Sequence, residues 1–321
     1  MISPAQRVEL DDVDRALIAA LIADGRATYA ALAPLVGLSQ AAVRTRVQRL
    51  IDEHIITVTG RVDPASLGLG IFAFAFLEVR GEVEKVAARI ADIDEAVFVA
   101  IGAGRHDLLV ELRCRGEDRL LDALDRIRVI DDVRRVQSAT VLHYEKQDWT
   151  SLGNRVERWS QPSLPVRSRV LDDIDRLLVV ELMADGRATY TSLAGVVGLS
   201  QAAVRDRVID LLDDRIVTIQ AHPDPVAMGI GGFAGLLVKV TGPVAPLAAA
   251  LVERPETDLV VRTLGRYDIL AEVWFDNNDH LAELLDDLRA LPGMGSIDTI
   301  PYLRIAHEAF GSGLRRREER A

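Results

Sequence analysis

The sequence has a single cysteine and no long apolar run. Cys114 stands alone among 321 residues, which excludes a disulfide framework and any metal site built from several cysteines of one chain. The longest apolar run, Val226 to Val238, has 13 residues and is too short to cross a bilayer. The first residues lack the apolar segment of a signal peptide, and no histidine and acidic residues share the spacing of a metal site. We therefore expect a cytoplasmic protein without membrane segment, metal ion or cofactor.

The chain also lacks an excess of positive charge. Its 38 basic residues oppose 49 acidic ones, and the formal net charge is −11. This balance argues against broad nonspecific binding to nucleic acid, although a local basic surface can still attract phosphate. Apolar residues make up 49% of the chain, as in ordinary globular proteins, and the length predicts roughly two domains.

An internal repeat organises the chain. Residues 10–47 recur as residues 171–208, with 27 of 38 positions identical at an offset of 161 residues. The same offset aligns Gly104–Asp107 with Gly265–Asp268. A period this long does not indicate a solenoid. The chain is two copies of one two-part module.

The first part of each copy has the pattern of a winged helix-turn-helix. Three short helices are predicted, and Asp11, Thr28 and Ser39 precede them as N-caps. Gly37 supplies the positive φ of the turn between the last two helices. The strand-like segment from His54 to Arg61 is predicted to form the wing. The second copy repeats this pattern, with Gly198 at the turn.

The third helix is predicted to enter the major groove of DNA, where exposed residues near its N-terminus meet base edges. Arginine and glutamine donors suit guanine and adenine. Arg46 lies about 200° around the helix from Arg44, so we assign it a phosphate or structural role. A merely solvated helix face is the alternative interpretation. The predicted DNA-binding residues are Ser39, Gln40, Ala41, Arg44, Thr45, Arg46, Gln48, Ser200, Gln201, Ala202, Arg205 and Arg207.

The two recognition helices differ in charge. Residues 39–54 have a net charge of +1 and residues 200–215 a net charge of −1, since Thr45 and Arg49 correspond to Asp206 and Asp210. We hypothesise that the second helix binds phosphate more weakly or accepts a different half-site.

The second part of each copy has the order βαββαβ. In the first copy, strands are predicted at 71–79, 96–102, 107–115 and 133–144, with amphipathic helices at 82–93 and 117–130. This order predicts a ferredoxin-like domain, an open antiparallel sheet with both helices on one face. Its bare face and edge require cover, by pairing within the chain or between chains.

A short polar turn joins the two middle strands of each predicted sheet. In one interpretation it is only a hairpin, in which glycine supplies positive φ and aspartate bonds to the backbone. In the other, its exposed N–H groups and acid hold a small zwitterion. His106 in one copy and Tyr267 in the other then create unlike pockets.

These motifs resemble the leucine-responsive/asparagine-regulator (Lrp/AsnC, feast/famine) transcription factors. The matching features are Leu-Asp-Asp-x-Asp-Arg, Asp-Gly-Arg-Ala-Thr-Tyr, Gly-Leu-Ser-x-x-x-Val-Arg-x-Arg-Val and the Gly-x-x-Asp turn, in this order and twice. The resemblance implies a DNA-binding domain joined to a sensing domain that binds an amino acid or similar metabolite. Carried over by position, the effector contacts are Gly104, Arg105, His106, Asp107, Gly265, Arg266, Tyr267 and Asp268, and less directly Ser138 and Thr140.

Repeat, motifs and turn-rich segments together predict an α+β chain, two copies of a winged helix-turn-helix followed by a ferredoxin-like sensing domain. The predicted parts are a winged helix-turn-helix at 1–62, a sensing domain at 63–146, a linker at 147–169, a second winged helix-turn-helix at 170–223, a second sensing domain at 224–310 and a basic tail at 311–321.

The chain departs from the family pattern in three ways. The family has one module per chain, so this chain is expected to act as a built-in pseudo-dimer that forms homo-oligomers through its sensing domains. His54 and Arg215 stand where the family often has glycine before the wing. Thr140 corresponds to Pro301, so we expect the second effector site to be impaired.

The prediction is a regulator that binds double-stranded DNA at the nucleoid, responds to a small molecule and has no enzymatic activity. One alternative is an enzyme similar to the siroheme decarboxylases, which also occur as fused pairs of this module. That chemistry needs histidine and arginine in a tetrapyrrole cleft, and the His-Asn-Tyr signature of those enzymes is missing from the turn at His106. The other alternative is a metabolite-binding scaffold that does not bind DNA.

Overall fold

The computed structural model describes residues 9–62, 69–147 and 171–308. Nearly all of the predicted linker and the whole predicted basic tail lie outside these residues. The described residues form two compact units, and each unit combines equivalent parts of both copies. The helical unit contains residues 9–62 and 171–227, and the sheet unit contains residues 69–147 and 228–308.

The secondary structure repeats the same order of elements in both copies. The first copy contains α1 (Asp12–Ala23), α2 (Tyr29–Val36), α3 (Gln40–Asp52), β1 (Ile56–Val62), β2 (Ile71–Val79), α4 (Val83–Ala91), β3 (Ala96–Gly102), β4 (Leu108–Cys114), α5 (Glu117–Arg128) and β5 (Val133–Gln147). The second contains α6 (Asp173–Ala184), α7 (Tyr190–Val197), α8 (Gln201–Asp213), β6 (Val217–Pro223), β7 (Gly232–Val240), α9 (Val244–Val252), β8 (Thr257–Leu264), β9 (Ile269–Phe275), α10 (Asn278–Arg289) and β10 (Met294–Glu308). This order confirms the predicted α+β fold.

Side-chain caps start the helices of the helical unit where the sequence predicts them. The side chains of Asp11, Thr28 and Ser39 accept hydrogen bonds from backbone N–H groups in the first turns of α1, α2 and α3. Gly37 ends α2 in the left-handed region at φ 67°, and Gly198 does so for α7 at φ 68°. The short turn therefore holds α2 against α3 in the helix-turn-helix arrangement.

The two copies are joined within the helical unit. Each copy supplies one strand at the predicted wing position, and β1 pairs with β6 in an antiparallel two-stranded sheet. Arg26 donates to the backbone oxygens of Gly186 and Ala188, while Arg187 donates to those of Gly25 and Ala27. The wing strand of each copy thus finds its hydrogen-bond partner in the other copy, because a lone strand leaves its N–H and C=O groups unpaired.

The sheet unit is a closed barrel made from both copies. Its strand order is β10-β3-β4-β2-β5-β8-β9-β7, so each copy contributes four consecutive strands. The seams are the pairs β5–β8 and β10–β3, each of which joins a final long strand to the other copy. Pairing within the chain therefore removes the edges that each sheet would expose alone.

Alternating side chains divide the sheet unit into three cores. On β4, Leu108 and Val110 pack against the helices α4 and α5, whereas Leu109 joins a separate cluster with Phe76 and residues of both copies. An equivalent helix-facing core covers the second sheet. The third core fills the space between the two sheets, and it brings both polar turns into one interior. Among the described residues, no helix has the length and hydropathy that a membrane crossing requires.

Candidate functional sites

The N-terminal part of each recognition helix is exposed. Ser39, Gln40, Ala41, Arg44, Thr45 and Gln48 are exposed on α3, and Ser200, Gln201, Ala202 and Arg205 on α8. The hydroxyl oxygen of Ser39 accepts a hydrogen bond from the Ala42 N–H at 3.2 Å, and Ser200 caps α8 with the same geometry. Both caps leave the hydroxyl hydrogen able to donate to a phosphate.

Arg44 and Arg205 are the cations that this surface leaves open. Neither has a hydrogen-bond or ion-pair partner among the described residues. Their neighbours differ, because Thr45 donates to the Ala41 carbonyl on α3 while Asp206 takes the equivalent place on α8. The two copies therefore present the same arginine in unlike electrostatic surroundings.

Arg46 and Arg207 hold their recognition helices against the first helix of the same copy. Arg46 Nη1 lies 2.7 Å from Asp11 Oδ2 and 2.9 Å from Asp14 Oδ1. Arg207 repeats the arrangement with Asp172 and Asp175. The hydrogen bonds to backbone N–H groups and to these arginines lower the pKa of Asp11 and of Asp172. The sequence allowed Arg46 either a phosphate-binding or a structural role. These contacts are of the structural kind.

The first copy has a further ion pair at this junction. Arg49 Nη2 lies 2.5 Å from Asp14 Oδ2, so Asp14 has two arginine partners and is buried. The corresponding residue of the second copy is Asp210, which brings an acid to that position of α8. Asp14 therefore neutralises part of the positive charge that distinguishes α3 from α8.

The aspartates of both polar turns bond to the backbone. Asp107 Oδ2 accepts a hydrogen bond from the Val79 N–H at 2.7 Å, and Asp268 Oδ2 accepts one from Val240 at 2.9 Å. Gly104 has φ 117°, whereas Gly265 lies outside the positive-φ region. A Cβ at Gly265 would lie 3.1 Å from the Ser138 carbonyl oxygen. Glycine is thus needed for its conformation at one turn and for close approach at the other.

Each turn lies against the last strand of the other copy. A Cβ at Gly104 would be 3.3 Å from the Thr299 carbonyl oxygen, and the Ala103 N–H donates to Pro301. Thr140 is the register partner of Leu264, next to Gly265. We name the region where the first turn meets β10 site A, and the region where the second turn meets β5 site B. The tertiary structure therefore places Pro301 at the first turn and Thr140 at the second, whereas sequence position had assigned Pro301 to the second. Sequence position alone does not show which copy covers which turn.

The unlike residues of the two turns both point into the barrel interior. Tyr267 is 3% exposed, and its hydroxyl donates to Asp298 Oδ2 at 2.6 Å. His106 is fully buried, and neither ring nitrogen has a hydrogen-bond partner among the described residues. Burial, and then the charge of Arg105, lower the pKa of His106, while burial raises the pKa of Tyr267 to about 12. Both side chains flank Phe76, at ring distances of 5.5 and 5.7 Å.

Two residues of these sites were not recognised from the sequence. Asp298 lies 3.7 Å from Arg105 and bonds to Tyr267, so it links both turns at site A. Gln137 is its equivalent at the repeat offset, and the amide nitrogen and oxygen of Gln137 are buried without a partner among the described residues. The signal was present as a polar residue in the equivalent place of both final strands, but only the barrel brings those strands to the turns.

The remaining described residues offer no metal centre, since no three of their histidine, cysteine, aspartate and glutamate side chains are grouped to hold a metal ion.

Two family models match the chain, and each matches it twice. The AsnC-type helix-turn-helix domain matches residues 10–51 and 171–212. The Lrp/AsnC ligand binding domain matches residues 73–149 and 235–309. The matches alternate along the chain, as the repeat requires.

Curated relatives match single copies of the repeat. The HTH-type transcriptional regulator FL11 of Pyrococcus horikoshii is 30% identical over 143 residues, which is 44% of this chain and 95% of the relative. The HTH-type transcriptional regulator LrpA of Mycobacterium tuberculosis is 34% identical over 128 residues, 39% of this chain and 85% of the relative. The regulatory protein AsnC of Escherichia coli is 28% identical over 138 residues, 41% of this chain and 90% of the relative.

A solved structure matches nearly the whole chain. The crystal structure of the siroheme decarboxylase NirDL has a TM-score of 0.65 and covers 93% of both chains at 12% identity. At this identity the likeness shows the shared fold alone, and it does not extend to the chemistry of the alternative that the sequence raised.

Proposed function

The chain belongs to the Lrp/AsnC family of transcriptional regulators, and on that premise we propose that it binds a two-part DNA operator through both recognition helices and responds to a small metabolite, an amino acid or similar compound. The observation that carries the proposal is the pair of exposed helix faces that begin with Ser39–Arg44 and Ser200–Arg205, held in one helical unit. A second copy of the chain is not needed to supply the second helix.

DNA contacts divide into positioning and readout. Arg44 and Arg205 are exposed and lack partners among the described residues, so their guanidinium groups are available for guanine. Gln40 and Gln201 offer the amide geometry that suits adenine. Ser39 and Ser200 lie at helix N-termini, where a phosphate oxygen meets the free N–H groups and the positive end of the helix dipole. The unlike charges of α3 and α8 favour an imperfectly palindromic operator.

The effector acts by linkage. A metabolite that binds at the turns of the sheet unit changes DNA affinity only if it binds one arrangement of the protein better than another. Homo-oligomers that form through the sheet unit, in the cytoplasm and at the nucleoid, provide such alternative arrangements. The described turns supply backbone N–H groups, two arginines and buried polar side chains for recognition.

The experiment is a titration of the purified protein with DNA from upstream of its own gene, against a scrambled sequence, over a salt series. We expect preference for the upstream DNA and a linear fall of log affinity with log salt concentration. The double substitution Arg44→Ala and Arg205→Ala should cost each half-site about 1–3 kcal/mol and relax sequence preference.

Arg128→Ala is the matched control, because it removes an exposed arginine of the sheet unit whose ion pair among the described residues is with Asp125 at i−3. It should leave both affinity and preference unchanged. Equal affinity for upstream and scrambled DNA at every salt concentration would contradict the proposal and favour the scaffold alternative.

A further inference from the structure

Sites A and B are equivalent by the repeat but differ in one charge. Site A contains Arg105, Tyr267 and Asp298, and at the repeat offset site B contains Arg266, His106 and Gln137. In site A the Asp298 carboxylate accepts the Tyr267 hydroxyl at 2.6 Å and lies 3.7 Å from Arg105. In site B a neutral amide replaces that carboxylate. At this one position site A therefore carries a carboxylate and site B a neutral amide, while the acids whose charges act on His106 are Glu78 and Asp298.

The polar groups of site B are left without partners. The side-chain nitrogens of His106 and both amide atoms of Gln137 are buried and have no hydrogen-bond partner among the described residues. Buried polar groups in folded proteins are nearly always hydrogen-bonded, and an unsatisfied one costs about 1–3 kcal/mol. The equivalent side chains of site A, Tyr267 and Asp298, bond to each other. The two side chains of site B, which lack such partners, therefore indicate a place for a bound molecule.

The strands bring these groups to one place. Gln137 is the register partner of Phe76, and the His106 ring lies 5.5 Å from the Phe76 ring. Gly265 approaches the Ser138 carbonyl closely, which sets the turn that carries Arg266 beside the strand of Gln137. In site A, Asp298 is the register partner of Leu237, which is the repeat equivalent of Phe76. The strand pairing that positions Gln137 in site B therefore positions the Asp298 carboxylate in site A.

We propose that the chain binds one small carboxylate-bearing metabolite, at site B, and that the ligand carboxylate takes the place that Asp298 fills in site A. Arg266, the Gln137 amide and an imidazole N–H of His106 are its donors. Site A stays closed to the same ligand, because the Asp298 carboxylate already occupies the anion position beside Arg105. This inference rests on the proposed effector function and assigns it to one of the two sites.

The test measures ligand binding directly, without DNA. The twenty L-amino acids are screened by isothermal titration calorimetry, and each one that binds is compared with its amino alcohol, which lacks the carboxylate. We expect one ligand per chain and at least about tenfold weaker binding of the amino alcohol, since charge-assisted hydrogen bonds are lost.

Gln137→Asp transfers the carboxylate of site A to site B. It should weaken amino-acid binding by at least about tenfold, because two carboxylates cannot share one anion position. It should also raise the melting temperature without ligand, since His106 and Arg266 gain a partner. Asn278→Asp is the matched control for binding, which adds a carboxylate at an exposed position of the same unit and should leave amino-acid affinity unchanged.

Two ligands per chain, equal binding of the amino alcohol, unchanged affinity in Gln137→Asp, or no binding of any amino acid would each overturn the inference. Failure of the DNA titration leaves this result standing, because calorimetry reports the ligand alone. Conversely, if the chain binds DNA sequence-specifically but shows none of these ligand effects, the regulator function stands and ligand binding at site B is rejected.

Discussion

At the scale of single residues, two equivalent glutamates in the barrel interior show how one neighbour changes the chemistry of an acid. Glu111 lies 2.8 Å from Arg113 Nε and accepts the Tyr144 hydroxyl. Glu272 accepts the Tyr302 hydroxyl, but the equivalent of Arg113 is a tryptophan, so no arginine compensates its burial. Burial therefore raises the pKa of Glu272 to about 8.

This raised pKa predicts a loss of stability with rising pH. The unfolded chain releases the proton of Glu272 near its ordinary pKa of 4.5, whereas the folded chain retains it up to about pH 8. The folded state thus binds more protons between these limits, and its free energy of unfolding falls as the pH rises through them. Glu272→Gln should abolish this part of the pH dependence and gain on the order of 1 kcal/mol or more at pH 8.

Melting temperatures at pH 5 and pH 8 measure the effect. The advantage of Glu272→Gln should appear at pH 8 and be small at pH 5. Glu111→Gln is the matched comparison, and it should destabilise the protein at both values because it leaves the buried Arg113 without its carboxylate. An equal gain from Glu272→Gln at both pH values would show that the carboxyl group is not protonated in the folded state.

At the scale of elements, the recognition helices have the same backbone and cap but unlike side chains. Ser39 and Ser200 cap α3 and α8 alike, and both helices have 13 residues. Beyond the shared first turn, α8 carries Asp206 and Asp210 where α3 carries Thr45 and Arg49. Asp206, the neighbour of Arg205, repels the phosphates that approach this helix, while the equivalent Thr45 of α3 does not.

We therefore predict unequal effects of the two equivalent arginines. Arg44→Ala should weaken operator binding more than Arg205→Ala, within the range of about 1–3 kcal/mol for a base-reading arginine. Asp206→Thr should strengthen binding, since it removes the acid next to Arg205. The measurement is the same DNA titration over a salt series. Equal losses from the two alanine variants would show that the copies contribute alike.

At the scale of the whole molecule, reciprocal contacts join the two copies within the helical unit. The guanidinium groups of Arg26 and Arg187 each donate to two backbone oxygens of the other copy and lie 5.2 and 5.3 Å above the Tyr190 and Tyr29 rings. Together with β1–β6 pairing, these reciprocal contacts set the separation of the two recognition helices.

Removal of the reciprocal Arg26 and Arg187 contacts should weaken binding to two-part operators but not to single half-sites. Arg26→Ala combined with Arg187→Ala should lower affinity for a two-part operator at least about tenfold, because hydrogen bonds from charged groups contribute about 1.5–3 kcal/mol each. Affinity for a single half-site should remain, since α3 and α8 are unchanged. Arg89→Ala, which removes an exposed arginine of the sheet unit, is the control. An equal loss of affinity for the half-site and the full operator would show that these contacts do not set the separation of the two recognition helices.

The sequence by itself determined the repeat, the order of the elements and the recognition helices. Caps, glycine turns and apolar periodicity are local signals, because the hydrogen bonds they describe span only a few residues. His54 and Arg215, noted as departures before the wing, indeed adopt positive φ, at 55° and 58°.

Only the tertiary structure decided how the two copies combine. The wing strand pairs with the other copy, and each turn faces the final strand of the other copy, so Thr140 and Pro301 serve the turns opposite to those expected. The partners Asp298 and Gln137, and the unlike surroundings of Glu111 and Glu272, likewise depend on closure of the barrel. The physical reason is that strand pairing joins residues far apart in sequence, and two copies with the same order of elements offer similar local signals for pairing within a copy or between copies.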